Sequence, residues 1–166
     1  MGGVDNMFVP KFEPTTPIAQ DNNYIFQTLV TNMRGFYQNS RNGNSFAVIN
    51  SELRWPIFSY LFQRPIKSDF IKNLQVIGFG DVGTAWNGPS PYSKENAINT
   101  RKIPYGPTGG NGEIIIDSQK DPIIYSYGVG LRTRLFGYYL RFDWAWPVED
   151  GIILDYQFAF SLGYDF

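Results

Sequence analysis

The carboxyl end of the chain alternates between large apolar residues and small or polar ones. From residue 156 onward, every second position is an aromatic residue or leucine. These large positions are Tyr156, Phe158, Phe160, Leu162, Tyr164 and Phe166. A period of two predicts a β-strand that has one apolar face and one polar face. Six large side chains in a row on one face favour contact with lipid.

Two segments before this strand show the same pattern. The large faces carry Tyr125, Tyr127, Val129, Leu131, Thr133 and Leu135 in the first, and Leu140, Phe142, Trp144 and Trp146 in the second. We predict a strand in each, joined by a tight turn over residues 135–138. We expect Pro147 to end the second strand, because proline lacks the N–H group that a ladder requires. The opposite faces would meet a water-filled lumen or one another through Arg132, Arg134, Arg141 and Asp143.

The rest of the chain contains fewer clear strands. Alternation predicts strands over residues 45–55 and 73–86, and a third over residues 24–33, where Thr and Asn on both faces blur the pattern. Residues 1–23 contain three prolines and are predicted to be irregular. Residues 87–121 are rich in Gly, Pro and Asn and are predicted to form a long polar loop. The sequence thus predicts five or six strands without helical periodicity.

The lengths of these segments point to a membrane. Strands of about 10 to 12 residues match a tilted strand that crosses a bilayer. A tight turn on one side and a long loop on the other are typical of outer-membrane barrels. Five or six strands cannot close a barrel, since the smallest have about 8 strands. The alternative is a soluble β-sandwich or lipocalin-like module whose aromatic face is its core and which binds a glycan or an apolar ligand.

Composition excludes several classes of function. The chain has 166 residues, with 14 Lys and Arg against 15 Asp and Glu, so nothing indicates a nucleic-acid partner. Cys and His are both absent, which excludes disulfides, thiolate or imidazole metal ligands, and catalytic triads with an imidazole base. No apolar run is long enough for a transmembrane helix. The first ten residues lack the features of a secretory signal, so either the protein is cytosolic or its beginning is missing.

Candidate chemistry is sparse. The glycines at 128–130 and 106–112 lack the helix or the lysine that a nucleotide-binding loop requires. Two acidic pairs, Glu149 with Asp150 and Asp117 with Asp121, could bind Ca²⁺ or act as a carboxylate pair. Solubility of a loop explains them more simply. We therefore predict no enzyme, no metal and no cofactor.

Three motifs together resemble a known family. They are Met33-Arg34-Gly35-Phe36, then Phe79, Asp81 and Gly83 in the stretch 78–83, and the aromatic pattern that stops at Phe166. In order and spacing they resemble the carboxyl-terminal barrel of the BamA/TamA superfamily, also called the bacterial surface antigen family. The resemblance covers about residues 24–166. The sequence Arg-Phe-Asp-Trp-Ala-Trp at residues 141–146 is most similar to family members from Bacteroidetes.

The resemblance implies roles for these residues. The motif at Arg34 would lie at the tip of a loop that folds back into the barrel lumen. Phe79, Asp81 and Gly83 would face the lumen on the fourth strand from the end, with Asp81 receiving Arg34. Gly35 would let the loop turn sharply, and Gly83 would leave space beside the carboxylate. The last strand resembles the insertion signal of outer-membrane barrels, carried by Phe160, Leu162, Tyr164 and Phe166.

The resemblance also implies a fold and a function. The fold would be an all-β, antiparallel transmembrane β-barrel, present as the last five or six strands of a 16-stranded barrel. An irregular segment (residues 1–23) would precede the barrel part (residues 24–166). The complete protein would lie in the bacterial outer membrane and insert or translocate polypeptides. Its partners would be the lipid bilayer, the upstream strands of the same barrel, and unfolded or exported polypeptide clients.

Overall fold

The computed structural model describes residues 1–4, 7–17, 32–61, 68–105, 112–117 and 120–164. Its elements are β1 (Ser45–Trp55), α1 (Ile57–Leu61), α2 (Asp69–Lys72), β2 (Gln75–Trp86), β3 (Thr100–Tyr105), β4 (Gly112–Asp117), β5 (Ile124–Leu135), β6 (Tyr138–Glu149), β7 (Ile152–Ile153) and β8 (Gln157–Tyr164). Neither helix in these ranges is long and apolar enough to span a membrane. The strand predicted over residues 24–33 lies almost wholly outside the described residues, as does Phe166. The domain division at residue 23 stays a prediction.

One antiparallel sheet dominates the fold. Its strand order is β1-β2-β5-β6-β8, and the short β7 pairs with the end of β6. Neighbouring strands along this path are joined in chain order, as in a barrel wall built from successive hairpins. The prediction of an all-β antiparallel fold is confirmed. Within the described residues the sheet remains open, in keeping with part of a barrel wall.

The large aromatic residues lie on the exposed face of this sheet. Tyr127, Val129 and Phe158 are each about half exposed, at 46%, 50% and 46%. Rings on neighbouring strands pack against each other there, with centroids 5.2 Å apart for Trp144 and Phe158. We call this face the outer face, and the opposite face, which carries the buried small and polar residues, the inner face. The bulky rings therefore point away from the covered side of the sheet.

The turn between β5 and β6 has the predicted tight geometry. Phe136 and Gly137 both have positive φ, at 53° and 86°. Two positive φ values at the centre of a two-residue loop characterise the primed hairpin turns that match the strand twist. The turn sets the register in which Leu135 lies opposite Tyr138.

The prediction that Pro147 ends its strand is wrong. β6 continues to Glu149, with Pro147 opposite Ser126 and its carbonyl accepting a hydrogen bond from the backbone of Leu154 at 2.9 Å. β8 pairs with β6 only as far as Ala145. The proline thus lies beyond the β8 ladder, where its missing N–H group interrupts no pairing with that strand.

Residues 87–121, predicted as one long polar loop, contain two strands that the prediction missed. β3 and β4 pair within it as a separate two-stranded antiparallel sheet. Before β3, the Asn96 and Asn99 side chains donate hydrogen bonds to the carbonyl of Pro91 at 2.9 and 2.8 Å. Each strand has only six residues, too few for a clear alternation among the surrounding turn residues.

Candidate functional site

A loop over residues 32–41 lies against the inner face of the sheet. Met33 is fully buried and packs with Phe36 and with Ile124 at the start of β5. Gly35 has a φ of +85°, which favours glycine, and a Cβ atom there would lie 3.0 Å from Cβ of Ala145 on β6. The loop backbone therefore turns sharply where it touches the sheet. We call residues 32–41 the inner loop.

Arg34 of the inner loop forms a two-pronged ion pair with Asp81 of β2. Its Nε donates to Oδ2 at 2.7 Å and its Nη2 donates to Oδ1 at 2.6 Å. The backbone N–H of Arg34 also donates to Oδ2, at 3.2 Å. Asp81 is completely buried. Paired, parallel bonds of this kind fix the plane of the guanidinium as well as its position.

Two further groups surround the same guanidinium. Its third nitrogen, Nη1, donates to Oε2 of Glu52 on β1 at 2.7 Å. The guanidinium carbon lies 3.8 Å from the centroid of the Phe79 ring, a cation–π contact. Arg34 is thus held on its edges by carboxylates from two strands and on its face by an aromatic ring.

The Arg34 pair belongs to a larger group of charges on the inner face. Glu52 accepts a bond from Nε of Arg54 at 2.8 Å, and Nη1 of Arg132 lies 2.7 Å from Oδ1 of Asp143. Three arginines therefore neutralise three carboxylates in what we call the inner charge cluster: Arg34, Arg54, Arg132, Glu52, Asp81 and Asp143. Arg54 is exposed, whereas the other five charges are buried or half-buried, and each of these has a partner of opposite sign that offsets the cost of burial.

Gly83 lies where the inner loop packs closely against β2. A Cβ atom there would lie 2.9 Å from Cε of Met1, 3.0 Å from Cγ2 of Val48 and 3.1 Å from Sδ of Met33. Gly83 therefore leaves space for three side chains, among them the buried methionine of the inner loop. Residues two apart on a strand share a face, but a side chain from the loop fills the gap between them.

The Phe79 ring covers Gly128, its partner on β5. A Cβ atom added at Gly128 would lie 2.5 Å from the ring, so this position requires glycine. The ring also packs against Ala145 on β6. The ring thus forms a platform over two strands, on which the Arg34 guanidinium rests.

A second anchor holds the far end of the inner loop. Arg41 is 4% exposed, and its Nη2 donates to Oε1 of Glu149 and to the carbonyl of Asp121, both at 3.0 Å. Lys120 reaches the same oxygen of Glu149 at 3.0 Å. Glu149 therefore anchors the inner loop through Arg41. Asp150 accepts a bond from the backbone N–H of Asp121, the residue whose carbonyl accepts the other bond of Arg41. Within the described residues, no acidic group is arranged to hold a metal ion.

Three of the four residues predicted as an insertion signal, Phe160, Leu162 and Tyr164, lie on β8. Phe160 and Leu162 share the outer face, and the Phe160 ring lies 5.1 Å from that of Phe142. Tyr164 pairs with Tyr138 through the backbone, and Phe166 lies outside the described residues. The structure thus brings the Arg34 and Asp81 motifs together, whereas Phe160 and Leu162 lie on the other side of the sheet.

Sequence reasoning missed Glu52 and Arg41. Glu52 lies on the polar face of the predicted strand 45–55, opposite Phe79 in the β1–β2 register, so alternation placed it on the correct side. Arg41 follows the loop motif in a stretch of polar residues, where nothing local distinguishes a buried arginine from a solvated one.

Comparison with known proteins agrees with this geometry. A family model described as the Omp85 superfamily domain matches residues 23–166, which is most of the chain. No curated protein matches, and no solved structure matches. The family match, the antiparallel sheet and the motifs that resemble the BamA/TamA barrels agree with one another. The chain belongs to the Omp85 superfamily.

Proposed function

We propose that this chain is the carboxyl-terminal part of an outer-membrane barrel that inserts or translocates polypeptides. Membership of the Omp85 superfamily supports this assignment. The observation that carries it is the inner loop, whose Arg34 is bound by Asp81 and Glu52 on the covered face of a membrane-type sheet. Such a loop gives the lumen a fixed internal element beside which a polypeptide can pass.

The outer face supports a location in the bacterial outer membrane. Tyr125, Tyr127, Val129, Phe158 and Leu162 are exposed on it, while hydrogen-bonded backbone runs between the strands. Lipid hydrocarbon cannot form hydrogen bonds, so a sheet in a bilayer needs a fully paired backbone and an apolar surface toward the lipid. The outer face has both features. The lipid bilayer and the upstream strands of the same barrel are thus its structural partners.

The proposed activity involves no covalent chemistry. Each charged group of the inner charge cluster is engaged by a partner of opposite sign. A general acid or base needs a group free to exchange a proton with substrate. We therefore propose a transport function without an enzymatic step and without a cofactor.

The alternative of a soluble β-sandwich or lipocalin-like module that binds a glycan or an apolar ligand is not favoured. It requires the aromatic face to be the core, packed between two sheets or inside a small barrel. In the described residues the second sheet consists of β3 and β4 only, and the aromatic rings of β5, β6 and β8 are on the exposed face.

A folding assay tests the proposal. The full-length protein that contains this chain is reconstituted in liposomes of phosphatidylethanolamine and phosphatidylglycerol. A urea-unfolded eight-stranded outer-membrane barrel is then added as client. Folding is followed by heat-dependent gel mobility, and passage into the vesicle by protease protection.

We expect client folding or protection to be several-fold faster than in empty liposomes. Liposomes that contain an unrelated barrel at the same protein-to-lipid ratio control for bilayer defects. Rates equal to that control for both folding and protection would overturn the proposal.

A further inference from the structure

The connection between β1 and β2 folds against the outer face at one end of the sheet. Its helix α2 lies beside β5, where the Thr133 hydroxyl donates a hydrogen bond to the carbonyl of Phe70 at 3.0 Å. Thr133 shares the outer face with Val129 in the strand register, yet it is only 2% exposed, against 50% for Val129. α2 therefore covers the part of the outer face next to the β5–β6 turn. We call this end of the sheet the turn end.

The turn end corresponds to the periplasmic border of the proposed barrel. Outer-membrane barrels have short turns on the periplasmic side and long loops outside. Only Phe136 and Gly137 join β5 to β6 at the turn end, whereas residues 87–121 connect strands at the opposite end. Trp55 and Tyr138 occupy outer-face positions at the turn end, as the residues of an aromatic belt do at headgroup depth.

A groove of about 570 Å³ separates α2 from the β5–β6 turn. Its lining combines apolar and polar side chains, which are Phe70, Leu135 and Phe136 together with Ser68, Asn73 and Arg134. Small-molecule sites have volumes of about 300 to 1,000 Å³ and combine apolar walls with a few polar groups. The groove therefore suits a ligand that has a polar head and an apolar tail.

Arg134 gives this groove a positive charge that has no carboxylate partner in the part of the chain that the structure describes. Its side chain is exposed, and its guanidinium carbon lies 5.9 Å from the centroid of the Tyr139 ring. Arg34, Arg41 and Arg132 each bind a carboxylate. A guanidinium without such a partner can bind an added anion, and its planar donors match the oxygens of a phosphate group.

Phe136 gives the groove an apolar surface at the tip of the turn. Its ring is 92% exposed and its φ is +53°, a value that disfavours bulky residues and favours Asn or Gly. Neither the turn nor packing within the described residues explains a phenyl ring at this position. Contact with a bilayer does, because aromatic residues concentrate where a membrane meets water.

We propose that this groove binds an anionic phospholipid of the periplasmic leaflet. The phosphate lies at Arg134, beside Ser68 and Asn73, and an acyl chain lies along Phe70 and Phe136. The site rests on the proposed location in the outer membrane and goes beyond the proposed transport function.

The position of the groove favours a lipid over a protein as its occupant. Leu135, which lines the groove, shares the outer face with Val129. The groove is thus continuous with the exposed apolar surface that we assign to hydrocarbon. Its strands β5 and β6 are flanked on both sides by β2 and β8. Upstream strands of the barrel would pair beyond β1 or β8 and would leave the groove open.

Native mass spectrometry of the full-length protein that contains this chain tests the site. The protein in detergent is titrated with phosphatidylglycerol, or with phosphatidylcholine of the same acyl chains, and bound lipid is quantified. We expect several-fold more bound phosphatidylglycerol, because of the two lipids only phosphatidylglycerol has a net negative charge. Equal binding of the two lipids would overturn the recognition of an anion.

Substitution of Arg134 assigns the binding to this groove. We expect Arg134→Gln to lower phosphatidylglycerol binding to the level of phosphatidylcholine, and Arg134→Lys to retain part of it. Arg141→Gln is the matched control, because Arg141 is an exposed arginine on β6 that does not line the groove. Heat-dependent gel mobility verifies that each variant is folded. No loss of binding in Arg134→Gln, or an equal loss in Arg141→Gln, would overturn the assignment.

The apolar part of the ligand is tested by Phe136→Asn, which removes the ring and suits the positive φ of the turn. We expect several-fold weaker binding of both lipids. Unchanged binding of both would overturn the contact between Phe136 and an acyl chain.

Inorganic phosphate at the same concentration as the lipid distinguishes a lipid headgroup from a free anion. We expect phosphate to leave phosphatidylglycerol bound, because phosphate lacks the apolar tail. Displacement of the lipid by phosphate would overturn the choice of a phospholipid as ligand.

Photocrosslinking in cells distinguishes a lipid from a protein occupant. The full-length protein carrying Phe136→benzoylphenylalanine is irradiated, and the peptide that contains position 136 is analysed by mass spectrometry. We expect an adduct with the mass of a phospholipid. An adduct with a protein, or no lipid adduct, would overturn the lipid assignment.

Failure of the site is distinguishable from failure of the proposed transport function, because neither binding assay involves a client. Binding of phosphatidylglycerol through Arg134 by a protein that does not accelerate client folding or passage would overturn the transport function and support the site. Client folding without any selective lipid binding would overturn the site alone.

Discussion

Arg34 and Asp81 are 47 positions apart in the chain and meet through two parallel hydrogen bonds of 2.7 and 2.6 Å on the inner face of the sheet. The carboxylate is completely buried. The pair therefore depends on a loop that is folded back over strands which follow it in the sequence. Each feature of that arrangement predicts a measurable effect.

Removal of the carboxylate should release the inner loop. Asp81→Ala leaves the Arg34 guanidinium buried with Glu52 alone, and breaking a buried pair on one side costs about 3 to 5 kcal/mol. We expect faster proteolytic cleavage near Phe36 and a lower temperature for the loss of heat-resistant gel mobility. Asp155→Asn, an exposed site between β7 and β8, is the control. A cleavage pattern like that of the unsubstituted protein would contradict the role of the pair.

A positive charge at position 34 should not be enough to replace the arginine side chain. Arg34→Lys keeps the positive charge but cannot form both bonds to Asp81, the bond to Glu52 and the stacked contact with Phe79 at once. We expect a loss of about 2 kcal/mol in the free energy of unfolding, the size of one hydrogen bond to a charged group. Urea titration in detergent micelles measures it. Stability equal to that of the unsubstituted protein would indicate that the bidentate geometry contributes nothing.

Gly83 should tolerate no methyl group, whereas Gly78 on the same strand should. A Cβ at Gly83 meets Met1, Val48 and Met33 at 2.9, 3.0 and 3.1 Å, while nothing lies within 4 Å of a Cβ at Gly78. Overpacking of this kind costs about 1 to 3 kcal/mol. We expect Gly83→Ala to destabilise the inner loop, seen as protease sensitivity at residues 36–41, and Gly78→Ala to be neutral or stabilising. Similar effects from both would argue against packing by Met33.

Substitution of Arg41, the second anchor of the inner loop, should destabilise the loop more than substitution of its exposed neighbour Lys120. Arg41→Gln removes a buried guanidinium from Glu149, with an expected cost of about 1 to 3 kcal/mol. Lys120 is half exposed, and Lys120→Gln should cost at most about 1 kcal/mol. Hydrogen exchange of the amides of residues 37–41 separates the two variants. A larger effect from Lys120 than from Arg41 would reverse this interpretation of the anchor.

The outer face distinguishes a membrane sheet from a soluble one. Val129→Arg places a charge among the exposed apolar residues of β5, which costs about 2 to 4 kcal/mol at the centre of a bilayer. Tyr92→Arg alters a more exposed residue outside the sheet, at 64% against 50% for Val129. We expect only Val129→Arg to reduce the amount of folded protein in the outer-membrane fraction. Equal amounts of both variants would count against a lipid-facing surface.

Sequence reasoning predicted the main sheet well and the connections poorly. The strands at 45–55 and 73–86 and the last three long strands are confirmed, because two-residue alternation is a local property of strands that have different environments on their two faces. The extension of β6 through Pro147 and the small sheet of β3 and β4 were missed. Both depend on where neighbouring strands stop, and no local pattern records that.

For the candidate site too, the sequence predicted some features, and others became visible only in the tertiary structure. The sequence by itself determined which residues share a face, so Phe79 and Asp81 were placed together and the aromatic stripe was placed opposite them. Only the tertiary structure decided that Glu52 completes the hold on Arg34, that Gly83 makes room for Met33, that Arg41 is buried against Glu149, and that α2 covers Thr133. The physical reason is distance along the chain. Periodicity reports the environment of each residue, whereas the identity of a partner is set when a loop folds back over strands that are far away in the sequence.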